Sequence, residues 1–244
     1  MLLSCVEQVP VDKVGRKRPQ TKIARAPVEI KELLKADLKH AYEKDRSRFF
    51  KKRQQVFKNS ERLVKYVRVV ADMHIHSRYS RATSERMCVD EIARFAQIKG
   101  LNLVGTGDFT HPKWLNELQE TLVQESNTGL YKVEKNPSLP VYFMITTEVS
   151  TIFTFEGEVK KIHHVILTPS IEAAGQIDDR LSKYGNLAAD GRPTLNMDAP
   201  QLVEEVMEIS SGNMVFPAHA WTPWFSIFGA FSGFNSVEEC YQDM

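Results

Sequence analysis

Six of the seven histidines in this sequence, His74, His76, His111, His163, His164 and His219, fall in or just after apolar runs that read as β-strands. Imidazole is both a transition-metal ligand and a proton carrier near neutral pH. The most informative group is Asp72-Met73-His74-Ile75-His76, which closes the run Val67-Arg68-Val69-Val70-Ala71. Residues i and i+2 of a strand share a face. His74 and His76 would therefore project together from its carboxyl end as a chelating pair. Taken alone, H-x-H reads equally well as two hydrogen-bonded strand-end histidines.

Four further strand ends carry the same kinds of residue. Gly105-Thr106-Gly107-Asp108-Phe109-Thr110-His111 closes a second strand, and its glycines permit a tight turn. Asp108 and His111 are candidate ligands there. Asp108 could instead cap the next helix, and His111, just before Pro112, could be a solvent-facing loop residue. Glu148 follows Met144-Ile145-Thr146-Thr147, and a carboxylate in a buried strand is costly unless paired or bound to metal. It could be salt-bridged, or it could join two metal ions through its two oxygens. His163 and His164 are adjacent and must point to opposite faces, so at most one serves a given site. We expect His164 to be the ligand and His163 to pack or hydrogen-bond elsewhere. His219, after Met214-Val215-Phe216-Pro217-Ala218, is either a ligand or a satisfied core histidine. One polynuclear metal site accounts for all five strand ends more simply than five separate structural explanations. Such a site activates water and stabilises charge on phosphoryl oxygens, which points to phosphoester hydrolysis.

The elements that must position these groups alternate along the chain. The pattern predicts strand 67–76, helix 88–99 stopped by Gly100, strand 101–109 and helix 114–124. Strand 141–149 follows, then short strands 152–154 and 159–167 around a Gly157 turn. Next come helices 171–183 and 199–209, strand 214–218 and a helix beginning near Ser236. Repeated β-then-α order predicts an α/β fold with parallel strands, whose chemistry gathers at the strands' carboxyl ends.

Composition sets the remaining bounds. With 244 residues the chain suits one large domain, or a domain plus an extension. No apolar run approaches the ~18 residues of a membrane span, and the start lacks a secretory h-region. Cys5, Cys88 and Cys240 are widely spaced, which fits a reducing cytoplasm rather than a disulfide framework or zinc ribbon. Residues 1–69 hold 19 Lys and Arg against 8 Asp and Glu, whereas the remainder holds 13 against 23. Residues 1–66 are thus expected to form a basic extension, unstructured to about residue 26 and helical beyond Pro27. It is either a solvated helix packed by one apolar stripe or a contact for a polyanion such as nucleic acid. The acidic body could hold cations.

Several segments resemble the PHP (polymerase and histidinol phosphatase) superfamily of metal-dependent phosphoesterases, and within it the endonuclease Q family of DNA-repair nucleases. They are residues 72–84, Gly105–Pro112, Thr146–Thr151, Gly185–Pro193 and Pro217–Phe225. The resemblance covers roughly residues 67–244. It implies a distorted (β/α)7 TIM-like barrel holding two or three divalent ions, with zinc expected first and Mn, Fe or Mg as alternatives. It implies hydrolysis of DNA on the 5′ side of deaminated bases or abasic sites. The metal ligands implied are His74, His76, Asp108, His111, Glu148, His164 and His219, with Glu148, His74 and Asp108 at the catalytic centre. Arg78 and Arg81 could hold phosphate oxygens, or face solvent. Trp221 and Trp224, in a loop with Phe225, Phe228, Phe231 and Phe234, could stack on an extruded base, or close the barrel as a cap.

The family's late Asp-x-His pair and its downstream zinc-binding regions have no counterpart in this sequence. It is therefore expected to be a C-terminally truncated, incomplete PHP barrel, which weighs against activity of this stretch alone. No G-x-x-x-x-G-K-[ST] motif supports an ATP-driven helicase. A PHP phosphatase acting on a small phosphomonoester, and a noncatalytic DNA-binding fragment, are the competing readings.

Overall fold

The structure, a computed structural model, describes residues 68–126 and 128–242. The expected basic extension, residues 1–66, lies outside the described residues, as does His40. No helix among the described residues is long and apolar enough to cross a membrane.

Helices form where apolar residues recur at helical spacing and a stop signal follows. In α1 (Val89–Lys99) the buried face is Val89, Ile92, Ala93 and Ala96, and Gly100 ends the helix at φ 73° with its N–H on the Ala96 and Gln97 carbonyls. Helix α2 (Pro112–Thr121) begins at its proline, earlier than expected, because proline suits the first turn of a helix. It also ends earlier, and Leu122–Gln124 of the expected helix is a strand instead. Helices α3 (Ile171–Leu181) and α4 (Ala199–Met207) are capped by Ser170 and Asp198, whose side chains accept from the N–H groups of Ala173 and Gln201. The short α5 (Val237–Tyr241) is capped by Ser236.

The strands are β1 (Ala71–Asp72), β2 (Leu103–Gly105), β3 (Leu122–Gln124), β4 (Tyr131–Val133), β5 (Tyr142–Phe155), β6 (Glu158–Thr168), β7 (Thr194–Leu195) and β8 (Met214–Pro217). The centre of the sheet is β5, 14 residues long. Its first residues pair in parallel with β2, which pairs in parallel with β1. Its remainder pairs antiparallel with β6 from Ile145↔Thr168 to Phe155↔Glu158, and β7 lies parallel beside Ser150 and Thr151. Outer strands β4 and β3 add antiparallel on one side, and β8 adds antiparallel to β6.

The parallel expectation therefore holds for the β1–β2–β5 and β5–β7 pairs and fails for the rest. What reads as two strands, 141–149 and 152–154, is one. Glu156 (φ 50°) and Gly157 (φ 83°) link it to β6 as a two-residue hairpin turn, which can join only antiparallel neighbours. The sheet is open rather than a closed barrel: among the described residues, β1 pairs only with β2, and β8 only with β6.

The main core lies between the sheet and helices α1 to α4, around the fully buried Phe109, Trp114, Leu118, Phe143, Ile145, Ile177, Leu181 and Leu202. Its apolar burial is the main favourable term holding β1, β2 and β5 in register. Those three strands carry the first site residues.

Candidate metal centre

Two glycines bring the first two strand ends together. A Cβ on Gly105 would collide with the Met73 carbonyl, and one on Gly107 with the Ile75 carbonyl. Only glycine lets the end of β2 lie this close to the His74–His76 backbone. Gly107 (φ 65°) and Asp108 (φ 50°) then turn the chain in the left-handed region and direct the Asp108 carboxylate inward.

Glu148 is the hub. It is 2% exposed, and four imidazoles converge on it. His74 Nε2 lies 3.3 Å and His163 Nδ1 3.0 Å from Oε1. His219 Nε2 lies 3.1 Å from the same oxygen, and His76 Nε2 lies 3.2 Å from Oε2. Burial alone would push this carboxyl up. Hydrogen bonds from His163, His219, His74 and His76 outweigh that and hold it far below the usual carboxylate range. His76 is pushed up to about 9, because its bonds to Asp108 and Glu148 outweigh the opposing effect of burial.

Each ring has further partners. Asp108 is fully buried, with Oδ1 2.8 Å from His76 Nδ1. Its Oδ2 accepts from the Ser77 N–H at 2.6 Å and the Ser77 hydroxyl at 2.7 Å. His219 Nδ1 lies 3.0 Å from Thr222 Oγ1, and Phe225 packs on the His163 ring at 4.7 Å between centroids.

Two donor sets share Glu148: His74, His76 and Glu148, and Glu148, His163 and His219, the donor atoms of each within 4.8 Å of one another. Imidazole nitrogens with a carboxylate are a donor set that suits Zn, Mn or Fe. Such a buried His/Glu cluster could hold metal ions.

The structure brings together five of the residues singled out in the sequence: His74, His76, Asp108, Glu148 and His219. His164 is not among them. Register decides this: His163 pairs with Ser150, on the Glu148 face of the hairpin, whereas His164 pairs with Val149 and points the other way. His164 is fully buried, with Nε2 2.9 Å from Thr151 Oγ1 and Nδ1 2.7 Å from Tyr241 Oη. Burial drives its pKa down to about 3, so it is a neutral core histidine. His163 takes the place expected for His164. The pair itself was visible in the sequence, but choosing between its members needs the cross-strand register.

His111 also stands apart from both donor sets. It occupies the N-cap position of α2 and stacks on Tyr79 at 4.5 Å, and burial lowers its pKa. Arg78 is paired with Glu117 at 2.6 Å, and Arg81 reaches Asp190 at 3.2 Å. Trp221 and Trp224 are 82% and 58% exposed, and Trp224 stacks on Phe231 at 4.1 Å. The loop bearing them is tied to the cluster through Thr222 and Phe225.

This fold and this cluster define a mixed α/β protein whose candidate metal centre gathers residues just past β1 and β8 onto the middle of β5 and β6. No family model matches the chain. It is 32% identical to the lesion-specific endonuclease Q of Pyrococcus furiosus, with a TM-score of 0.59 over 71% of this chain and 39% of that one. The same identity and TM-score relate it to an endonuclease Q complexed with a 27-mer duplex substrate bearing an abasic lesion at the active site, over 71% of this chain and 40% of that one. An uncharacterized protein of Methanocaldococcus jannaschii is 33% identical over 153 residues, which is 62% of this chain and 16% of that relative's length. The chain is thus close in sequence and structure to endonuclease Q, as the sequence motifs imply, and spans less than half of those solved proteins.

Proposed function

We propose that this chain carries the hydrolytic centre of a metal-dependent DNA endonuclease that cuts 5′ of deaminated bases or abasic sites. The observation that carries the reading is the convergence of four imidazoles on the buried Glu148, in a fold close to a lesion-specific nuclease. His74 and His76 with Glu148 would hold one divalent ion, and His163 and His219 with Glu148 a second. Zinc is the first candidate, with Mn, Fe or Mg as alternatives. When bound, these ions supply Lewis-acid activation of water and charge stabilisation on the phosphoryl oxygens.

The residues of the chain itself do the positioning. Asp108 holds the Nδ1 side of His76, leaving Nε2 directed at the centre. Thr222 does the same for His219. Glu148 supplies the negative charge both donor sets share. The exposed Trp224–Phe231 stack, with Trp221 on the same loop against Phe228, would receive a base unstacked from the duplex. In this reading the open sheet is one arc of a distorted (β/α)7 PHP barrel.

The test is incubation with labelled duplexes containing uracil, hypoxanthine or an abasic site, in Zn, Mn or Mg, alongside a small phosphate ester. A nick on the 5′ side of the lesion, absent in Glu148→Gln, is expected. Turnover of the ester alone would replace this reading with that of a PHP phosphatase.

A further inference from the structure

The body of this protein is acidic, with 13 Lys and Arg against 23 Asp and Glu from residue 70 onward. A polyanion must therefore be met where positive charge is not already neutralised. Of the six arginines from Arg78 to Arg192, five have a carboxylate partner. Arg78 pairs with Glu117, Arg81 with Asp190, Arg86 and Arg94 with Glu91, and Arg180 with Glu205 and Glu208. Arg192 has none among the described residues.

Its place is as informative as its charge. Arg192 Nε donates to Ser80 Oγ at 3.2 Å, and Nη2 to the Arg81 carbonyl at 3.3 Å. Its own N–H donates to Asp190 Oδ1 at 3.1 Å, and the N–H of Gly191 to the Tyr79 carbonyl at 3.0 Å. The segment Asp190-Gly191-Arg192 is thus clasped onto the loop that follows His76. Gly191 is there because nothing larger fits: a Cβ would lie 2.5 Å from Asp108 Cγ, in the carboxylate that holds His76. A half-buried guanidinium, with two of its donors fixed and the others without a partner among the described residues, stands one residue from the wall of the cluster. Arginine in a fixed fork geometry matches phosphate oxygens bidentately.

We propose that Arg192 binds a phosphodiester of the DNA backbone next to the one presented to the His/Glu cluster. The Ser80–Asp190 clasp holds the guanidinium in place for it. The proposal rests on the DNA reading above. It assigns the phosphate contact to a residue 84 positions beyond Asp108 rather than to Arg78, which Glu117 already occupies.

The test is fluorescence anisotropy of the full chain with a labelled duplex carrying an abasic-site analogue, across a range of KCl. The variants are Arg192→Gln, which removes the charge, Arg192→Lys, which keeps it, and Arg180→Gln as a distant control. The expected result is about 5- to 30-fold weaker binding for Arg192→Gln, with the salt slope reduced by about 1. Arg192→Lys should retain the slope, and Arg180→Gln should match wild type. A structural role alone would leave the slope unchanged in all variants, so an unchanged slope in Arg192→Gln overturns the proposal while leaving the DNA reading intact. No binding by the wild type overturns the DNA reading and the proposal with it. Displacement of duplex from wild type but not from Arg192→Gln by millimolar inorganic phosphate would move the site to a small phosphate and overturn the assignment to DNA.

Discussion

Asp108 grips His76 from behind: its Oδ1 lies 2.8 Å from Nδ1, and the opposite nitrogen of the same ring lies 3.2 Å from Glu148 Oε2. The ring is thereby fixed in one orientation, with Nε2 directed at the centre. A carboxylate behind a ligating imidazole typically raises metal affinity by about 10- to 100-fold. Asp108→Asn should lower the affinity for Zn or Mn by that order while leaving the other donor set intact. Calorimetric titration with each ion reads this directly, and an affinity equal to wild type would remove Asp108 from the site.

Glu148→Gln should abolish binding to both donor sets at once, since the carboxylate belongs to each. Divalent ions that raise the melting temperature of the wild type should then leave the variant's unchanged. A retained shift would mean that the imidazoles bind without it.

The adjacent histidines of β6 should separate cleanly. His163→Ala is expected to lose metal with little change in folding. His164→Ala removes the partner of Thr151 and Tyr241 in a fully buried position. It should destabilise the protein by about 2–4 kcal/mol with metal content retained. Denaturation curves and elemental analysis on both variants decide this, and the reverse pattern would restore His164 as the ligand.

Asp178 in α3 has a buried Oδ1 with no hydrogen-bond partner, and burial, with Asp179 adding to it, pushes its pKa up from 3.8 to about 8. The folded state therefore holds a proton that the unfolded state releases. Its contribution is fully present below about pH 4 and is lost as pH rises through about 8. Asp178→Asn should melt close to wild type at pH 4 and progressively higher than wild type toward pH 8. A difference independent of pH would refute the assignment.

Trp224 is exposed, so Trp224→Ala should barely alter stability. If the Trp224–Phe231 stack receives an unstacked base, the variant should weaken binding to an abasic duplex by about 1–3 kcal/mol. Equal loss on undamaged duplex would point to general contact rather than lesion reading.

What the sequence made legible follows from locality. His74, His76 and His219 lie just past the ends of β1 and β8, Glu148 is a carboxylate inside the largely apolar β5, and i, i+2 spacing in extended chain is enough to pair the two histidines of H-x-H. The boundaries of α1 could be read because Gly100 and the spacing of Val89, Ile92 and Ala96 are local signals. The choice between His163 and His164 depends on register across a hairpin. The Gly157 turn is legible, but the length of the hairpin is not, because the polar Ser150-Thr151 pair, where β7 joins, reads as a break in β5. In sequence, Asp108 also reads as a helix cap. Its true partner, His76, is 32 residues away and is reached only through the left-handed turn at Gly107-Asp108. The Arg192 clasp spans 112 residues to Ser80, beyond any pattern in a single stretch of chain.

The open sheet has a practical consequence for anyone who purifies this region. Strand β8 exposes Met214 and Phe216, and Val69 and Val70 stand exposed just before β1. Both strands keep one backbone edge unpaired among the described residues. Unpaired edges flanked by apolar side chains template edge-to-edge addition of further strands. Self-association of this body should therefore rise with protein concentration and respond to salt less than charge-driven clumping would. Lysine placed at Met214 or Phe216 is the substitution that should keep it monodisperse.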